Sequence, residues 1–157
     1  MSLEQEIGDL LRQKGLTLGL VESATGGLIS HLITGIPGSS DYYKGSITAY
    51  SNEAKVKIAG VNGETLDNYG AVSSKVAEEM AVGGRRVLAV DICLADTGIA
   101  GPGGATPGKP AGLFYIGLSS QSGTLVRKHS FHGDREQNKR SAAEASLVWL
   151  KEYLVSI

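Results

Sequence analysis

Helix-type and strand-type segments alternate along most of this 157-residue chain. Apolar residues at helical spacing predict a helix over residues 3–14, with Gly15 as its C-cap, and a short strand is predicted at residues 16–21. The apolar run over residues 87–95 predicts a buried strand. Alternation of this kind is typical of α/β folds, in which helices cover the faces of a sheet.

The rest of the chain continues this pattern and then departs from it near the C-terminus. Further helices are predicted over residues 26–34, from about residue 52, from Ser73 through Ala81, and over residues 135–153; further strands are predicted over residues 45–50, 112–118 and 125–131. The last two strands are close enough in sequence to form a hairpin across residues 119–123. The sequence therefore predicts a single-domain α/β/α layered fold over residues 1–157, with a mixed β-sheet and a C-terminal β-hairpin plus helix.

Charge and cysteine content exclude several classes of protein. The chain has 15 Lys and Arg against 16 Asp and Glu, with no block of either sign, so nucleic acid is not an expected partner. The single cysteine, Cys93, cannot form an intramolecular disulfide. No apolar stretch approaches the roughly 20 residues of a membrane span, and the first residues do not resemble a signal peptide. We therefore expect no membrane partner and a cytoplasmic location, and the apolar residues 154–157 suggest a homodimer contact.

A serine stands where a predicted strand gives way to a helix. Ser23 is followed by Ala24 and then by Thr25, Gly26 and Gly27. Backbone N–H groups at a helix start have no partner inside the helix, so they can bind a phosphate or stabilise the oxyanion of acyl transfer. The position therefore favours a nucleophile or an anion site, and the alternative is that Ser23 or Thr25 is a plain N-cap.

A tyrosine and a lysine occupy a second strand-to-helix junction. Tyr50 and Lys55 are five residues apart, so their side chains converge only if Tyr50 ends the strand and Lys55 lies in the first helical turn. The positive end of the helix dipole and partial burial would both lower the pKa of that lysine from its usual ~10.4. Lys55 is thus a candidate general base for Ser23, with Tyr50 relaying or orienting the proton. The alternative for Lys55 is a solvated helix lysine.

The histidines offer no comparable arrangement. His31 lies within a predicted helix, and His129 and His132 lie at a strand end. Three scattered imidazoles suggest neither a Ser-His pair nor a metal site. A Ser-Lys pair is the better hypothesis, and it implies no metal and no redox cofactor.

A second glycine-rich loop, residues 97–104, follows the predicted buried strand. Its backbone donors could face a phosphate, and its candidate binding residues are Thr97, Gly98, Gly101, Pro102 and Gly103. The loop lacks the ending of a Walker loop and opens no clear helix, so neither common nucleotide motif fits. A purely structural loop before the hairpin is the alternative.

Two basic residues near this loop are candidate phosphate ligands. They are Lys109 and Arg135, and each could equally be an ordinary surface charge.

Six motifs taken together resemble the CinA C-terminal family in order and spacing. They are residues 22–27 (ESATGG), 36–40 (IPGSS), 50–55 (YSNEAK), 70–73 (GAVS), 97–104 (TGIAGPGG) and 109–110 (KP). The resemblance covers nearly the whole chain. It implies a nicotinamide-nucleotide amidase, also called PncC, which hydrolyses nicotinamide mononucleotide to nicotinic acid mononucleotide and ammonia.

The resemblance also implies roles for particular residues. Ser23 would be the nucleophile, with Tyr50 and Lys55 as its activating partners. The residues that would surround the nucleotide, a small-molecule substrate, are Thr25, Gly26, Gly27, Ser39, Ser40 and the loop 97–104.

This chain differs from the family pattern at three positions. Ala24 stands where many relatives carry cysteine, which excludes cysteine chemistry there, and Ala49 and Asp96 replace common threonine and serine positions. Longer family members carry a separate N-terminal domain before this one. The resemblance covers only the C-terminal domain and therefore implies a stand-alone amidase.

Three other functions stay open at this point. The chain could be a non-catalytic nucleotide-binding or regulatory module or a scaffold, or a serine amidase for another small amide. Sequence motifs do not separate related amides, because the shape of the pocket decides between them.

Overall fold

The computed structural model describes residues 1–157 and contains one five-stranded mixed sheet. Its strands are β1 (Leu18–Glu22), β2 (Tyr43–Thr48), β3 (Ile92–Gly98), β4 (Leu113–Ser120) and β5 (Gly123–Ser130). Their order across the sheet is β2-β1-β3-β4-β5. β1 runs parallel to β2 and β3, whereas β4 is antiparallel to both β3 and β5. The predicted mixed sheet and C-terminal hairpin are confirmed.

Six helices cover the two faces of the sheet. They are α1 (Leu3–Lys14), α2 (Leu28–Thr34), α3 (Asn52–Lys57), α4 (Gly63–Tyr69), α5 (Ser74–Leu88) and α6 (Arg135–Ser156). A short 3-10 helix, Ser39–Asp41, precedes β2. None of these helices combines the length and apolar character that a bilayer span requires.

The two-residue period of the strands distributes the core over both faces. Leu20 and Leu94 pack with α1, α2 and α6 in the larger apolar cluster. Val21 and Cys93 point to the opposite face and pack with α5 in a second cluster. Successive side chains of a strand alternate between faces, so each of these buried strands contributes to both cores. The predicted α/β/α layering is confirmed.

Several predicted boundaries were wrong, and the backbone shows why. The strand predicted at residues 16–21 lies at Leu18–Glu22, and the strand predicted at 45–50 lies at Tyr43–Thr48. The helix predicted from residue 26 begins at Leu28, because Gly26 and Gly27 have φ values of +62° and +103°. The strand predicted from residue 87 begins at Ile92, because α5 continues through Leu88.

Helix α5 lies so close to the sheet that one of its positions has no room for a side chain. A Cβ atom on Gly84 would lie 2.2 Å from Val21 Cγ2 and 2.7 Å from Cys93 Sγ. We expect Gly84→Ala to lower the free energy of unfolding by about 1–3 kcal/mol, the usual cost of overpacking a core. Urea denaturation of both proteins measures this difference.

Gly63 is the matched control for this substitution. It opens α4, and a Cβ atom there would have no neighbour within 4 Å. Gly63→Ala should leave the free energy of unfolding unchanged or raise it by up to about 1 kcal/mol. A Gly84→Ala variant as stable as Gly63→Ala would show that the core accommodates the added methyl group and would contradict the close contact with the sheet.

Candidate active site

An open cleft of about 390 Å³ lies at the carboxyl ends of β1 and β3. Ligands of open α/β sheets commonly bind at this edge, outside the ends of the parallel strands. The cleft is lined by residues from several segments, including Ser23, Lys55, Val72, Thr97, Ala100 and Arg135. Ser23 lies directly after β1, and Thr97 is the next-to-last residue of β3.

The carboxyl group of Glu22 organises the turn that follows β1. Glu22 is fully buried and accepts hydrogen bonds from the amides of Ile29 and Ser30 at 2.9 Å and of Gly27 at 3.2 Å. The hydroxyls of Ser30 and Thr25 also donate to it, at 2.6 and 2.7 Å. A buried carboxylate is stable only with such compensation, so this network fixes the whole turn from Glu22 to the start of α2.

The helix-start amides predicted to hold an oxyanion are therefore already in use. The amides of Gly27 and Ile29 donate to Glu22, and the amide of Gly26 donates to the Ser23 carbonyl at 3.1 Å. The N–H group of Ala24 has no partner within the protein, and Ala24 lines the cleft. That amide, next to the serine, is the donor available for an oxyanion in this turn.

Lys55 lies beside Ser23, as the Ser-Lys hypothesis requires. Its Nζ atom is 2.9 Å from Ser23 Oγ and also 2.9 Å from the carbonyl oxygens of Ala49 and Tyr50. Ser51 caps α3 by accepting a hydrogen bond from the Ala54 amide at 3.0 Å. The helix therefore begins where it must for the lysine to reach back to the serine.

Burial favours the neutral amine form of Lys55, which is the form that can act as a base. Its side chain is 2% exposed, and burial lowers the pKa of Lys55, opposed in part by the charge that Asp96 carries when it is ionised. A neutral amine has two hydrogens and one lone pair. The two hydrogens can serve the carbonyls of Ala49 and Tyr50, which leaves the lone pair free to accept the hydroxyl hydrogen of Ser23.

The proton-relay role predicted for Tyr50 does not fit its contacts. Its side chain is 62% exposed, and its hydroxyl contacts Arg135 Nη2 at 3.3 Å and neither Ser23 nor Lys55. The strand ends at Thr48, two residues earlier than predicted, which turns the tyrosine outward. Tyr50 contacts Lys55 through its backbone carbonyl instead.

Asp96 is the main site residue that the sequence interpretation missed. It is fully buried and accepts hydrogen bonds from the amides of Ser23 and Thr25 at 3.3 and 3.2 Å. Its third hydrogen-bond contact is with the Thr25 hydroxyl. Burial raises the pKa of Asp96 to about 6, and the neighbouring charge of Glu22 adds to this rise. The sequence contained part of the signal, because Asp96 continues the same strand face as Ile92 and Leu94, but its contacts depend on the register between β1 and β3.

The second glycine-rich loop contributes only part of its predicted binding residues. Thr97, Gly98 and Gly103 line the cleft. Gly101 and Pro102 do not, and the Gly101 carbonyl instead accepts a hydrogen bond from Arg135 Nη1 at 2.9 Å.

The two predicted basic residues differ in the same way. Arg135, the first residue of α6, lines the cleft. Lys109 lies outside it, because its Nζ donates to the Tyr69 carbonyl at 2.6 Å and links the loop to the end of α4.

The remaining predicted binding residues are not on the cleft surface. Thr25 is 1% exposed and points into the carboxyl cluster, and Gly26 and Gly27 form the turn beneath the site. Ser39 and Ser40 precede β2, whereas the cleft lies beyond the ends of the parallel strands. These two serines therefore lie at the opposite edge of the sheet from Ser23.

A second cation, next to the turn that follows β1, was also missed. Lys139 lies one turn after Arg135 on α6, and its Nζ is 3.6 Å from the position of a Cβ atom on Gly26. Residues four apart on a helix share one face, so the spacing from Arg135 was the available signal.

No group of three or more His, Cys, Asp or Glu side chains is arranged to hold a metal ion.

Comparison with known proteins gives consistent matches over the whole domain. The family profile described as the CinA C-terminal domain matches residues 1–154. A putative competence-damage inducible protein of Halothermothrix orenii is 49% identical over 154 residues, covering 98% of this chain and 37% of that protein. A CinA-like protein of Geotalea uraniireducens is 44% identical over 156 residues, covering 99% of this chain and 37% of that protein.

Solved structures agree with these matches. A competence-damaged protein (CinA) superfamily protein of Klebsiella pneumoniae superposes with a TM-score of 0.95 at 28% identity, covering 99% of this chain and 97% of that one. The competence/damage inducible protein CihA of Agrobacterium tumefaciens gives 0.92 at 34% identity, covering 94% and 91%. The family predicted from the sequence is thus confirmed, and the chain spans about 37% of the length of the curated relatives named above.

The Glu22 network gives a stability prediction. In Glu22→Gln an amide nitrogen replaces one carboxylate oxygen and faces backbone N–H donors at the start of α2. We expect the free energy of unfolding to fall by about 2–3 kcal/mol, the scale of a hydrogen bond to a buried charged group. Urea denaturation at neutral pH measures the loss.

Glu53→Gln is the matched control. Glu53 is exposed and pairs with Lys57 at 2.7 Å, so its substitution should change the free energy of unfolding by less than about 0.5 kcal/mol. A Glu22→Gln variant as stable as Glu53→Gln would contradict the importance of the buried network.

Proposed function

Because the chain belongs to the CinA C-terminal domain family, we propose that it is an amidase that hydrolyses nicotinamide mononucleotide to nicotinic acid mononucleotide and ammonia. The observation that carries this proposal is the hydrogen bond of 2.9 Å between Lys55 Nζ and Ser23 Oγ. A buried lysine against a serine in the wall of an open cleft is the arrangement that a serine nucleophile needs, because the hydroxyl is weak without a base.

The first half of the reaction uses Ser23, Lys55 and the Ala24 amide. The neutral amine of Lys55 takes the hydroxyl proton while Ser23 Oγ attacks the carboxamide carbon. The negative charge that develops on the carboxamide oxygen is stabilised by the free N–H of Ala24. The ammonium of Lys55 then returns the proton to the leaving nitrogen, and ammonia departs from an ester on Ser23.

The second half reverses the same proton transfers. Water loses a proton to the neutral Lys55 and attacks the ester carbon. The tetrahedral adduct collapses, Ser23 Oγ leaves and regains its proton from Lys55, and nicotinic acid mononucleotide is released. Water, a serine and a base supply every atom of this cycle, so the mechanism uses no metal or redox group.

Tyr50 takes part as a positioning residue and not as a relay. Its carbonyl and that of Ala49 hold Lys55 Nζ at 2.9 Å, which aims the nitrogen at the serine. Its side chain lines the outer part of the cleft beside Arg135, where it can contact the sugar or the ring of a nucleotide.

The cations at the start of α6 supply recognition of the phosphate. Arg135 lines the cleft, and Lys139 lies one turn farther along on the side of Gly26. A guanidinium and an ammonium placed together suit a phosphate dianion, which accepts hydrogen bonds from both. Lys109, the other sequence candidate, is committed to the Tyr69 carbonyl.

The first test is ammonia release from nicotinamide mononucleotide by the purified protein. We expect Ser23→Ala and Lys55→Met to reduce the rate at least about 100-fold, since general base catalysis contributes that much or more. Lys57→Met is the matched control, because Lys57 lies on the same helix but is exposed and pairs only with Glu53. That variant should keep the parent rate.

Other results would redirect the proposal. A folded parent that binds the nucleotide, as shown by a ligand-dependent rise in Tm, without releasing ammonia would indicate a non-catalytic binding module. Release from a different carboxamide but not from this one would indicate an amidase for another substrate.

The second test separates phosphate recognition from chemistry. Arg135→Gln and Lys139→Gln should each raise KM for nicotinamide mononucleotide roughly tenfold, which corresponds to one lost charge-assisted hydrogen bond. Neither should change KM for nicotinamide riboside, which lacks the phosphate. Steady-state ammonia release with both compounds measures the difference.

Arg140→Gln serves as the control for this pair. Arg140 lies on α6 outside the cleft lining and pairs with Glu136 at 3.4 Å. A parallel rise in KM for the riboside, or the same rise in Arg140→Gln, would contradict a phosphate role for Arg135 and Lys139.

A further inference from the structure

The hydroxyl of Thr25 lies between two buried carboxyl groups. Thr25 Oγ1 is 2.7 Å from Glu22 Oε1 and is also in hydrogen-bond contact with Asp96 Oδ2. A threonine hydroxyl has one hydrogen to donate. If both carboxyl groups were ionised, one of these two contacts would join two oxygen atoms with no hydrogen between them. One carboxyl group must therefore supply a hydrogen of its own.

The hydrogen-bond partners of the two groups identify which one does. Glu22 accepts from three backbone amides and from the Ser30 hydroxyl besides Thr25, and such a set of donors stabilises a carboxylate. Asp96 accepts only from the amides of Ser23 and Thr25, at 3.3 and 3.2 Å. Asp96 has the weaker set of donors, so the additional proton belongs on Asp96.

We propose that Asp96 is a positioning residue that works as a protonated carboxylic acid. Its Oδ2–H donates to Thr25 Oγ1, Thr25 donates to Glu22, and the oxygens of the same acid hold the amides of Ser23 and Thr25. It fixes the nucleophile turn without placing a negative charge near Lys55. The catalytic consequence rests on the proposed amidase function, whereas the protonation itself does not.

The charged groups that face Asp96 support this assignment. They are Glu22 on β1 and Lys55 on α3. Burial and the charge of Glu22 raise the pKa of Asp96 to about 6. An ionised Asp96 would raise the pKa of Lys55 and favour the ammonium form, which cannot act as a base. The protonated form of Asp96, which predominates below about pH 6, therefore removes this stabilisation of the Lys55 ammonium.

The first experiment measures stability against pH for the parent and Asp96→Asn. Because the folded-state pKa of Asp96 lies above its ordinary 3.8, its contribution to stability is complete below about pH 4. That contribution is lost as the pH rises through about 6. Asparagine imitates the neutral acid toward Thr25 at every pH, since Nδ2 can donate to Thr25 Oγ1 and Oδ1 can accept from the Thr25 amide. The 3.3 Å bond from the Ser23 amide is lost in this variant, equally at every pH. We expect the Tm of Asp96→Asn relative to the parent to rise by a few degrees between pH 4 and pH 8.

Asp67→Asn is the control for this measurement. Asp67 is exposed on α4 and makes no side-chain hydrogen bond or ion pair, so its Tm should follow the parent at every pH. Parallel curves for Asp96→Asn and the parent, with the variant equally destabilised at low and high pH, would show that Asp96 is ionised throughout and would overturn the proposal.

The second experiment tests the effect on catalysis. For ammonia release, Asp96→Asn should keep kcat within a few-fold of the parent. In a plot of kcat against pH, the rise of kcat for this variant should occur at the same pH as in the parent or at a lower pH. Asp96→Ala, which removes the acceptor for both amides, should lose kcat while keeping KM. Equal kcat losses in the two variants would show that a carboxylate is required. If the parent releases no ammonia, the amidase function fails while the stability experiment still decides the protonation of Asp96.

Discussion

The burial of the Glu22 carboxylate is the interaction on which the site depends. The group lies at the end of a central strand and is compensated by three backbone amides and two hydroxyls. Removing one of these donors would weaken the compensation of a buried charge, which costs more than the loss of one surface hydrogen bond. The turn from Ser23 to Gly27 is therefore rigid, and the serine is held at one defined position on the cleft wall.

The same network changes the expected chemistry of the turn. A helix N-terminus next to a nucleophile predicts an anion site, but here Glu22 already occupies the start of α2. The helix dipole stabilises the internal carboxylate. Stabilisation of a developing oxyanion then falls to the Ala24 amide, which lies outside the helix.

Much of the fold and part of the site could be predicted from the sequence. The alternation of helical and strand segments predicted the layers of the fold. The strand-to-helix junctions at Ser23 and Lys55 predicted the serine-lysine pair. The failures concern three-dimensional relations that the order of motifs does not encode. Motif order along the chain does not say at which end of a strand a motif lies, so Ser39 and Ser40 were placed at the site although they precede β2. Nor does spacing say which way the Tyr50 side chain turns when the strand ends early.

The position of Asp96 could be predicted only with the register between strands. That register pairs Val21 with Ala95 and so brings the next residues, Glu22 and Asp96, side by side.

This register also separates the charges of the site. Glu22 and Asp96 continue the strand faces of Leu20 and Leu94, which pack with α2 and α6. Lys55 comes from α3, whose Ala54 packs with the cluster on the α5 side of the sheet. Ser23 lies between them at the strand end, with its amide on Asp96 and its hydroxyl on Lys55. The sheet thus brings the carboxyl group of Asp96 and the amine group of Lys55 to opposite sides of one serine. In the proposed state of the site, the negative charge of the cluster lies on Glu22, among its own donors.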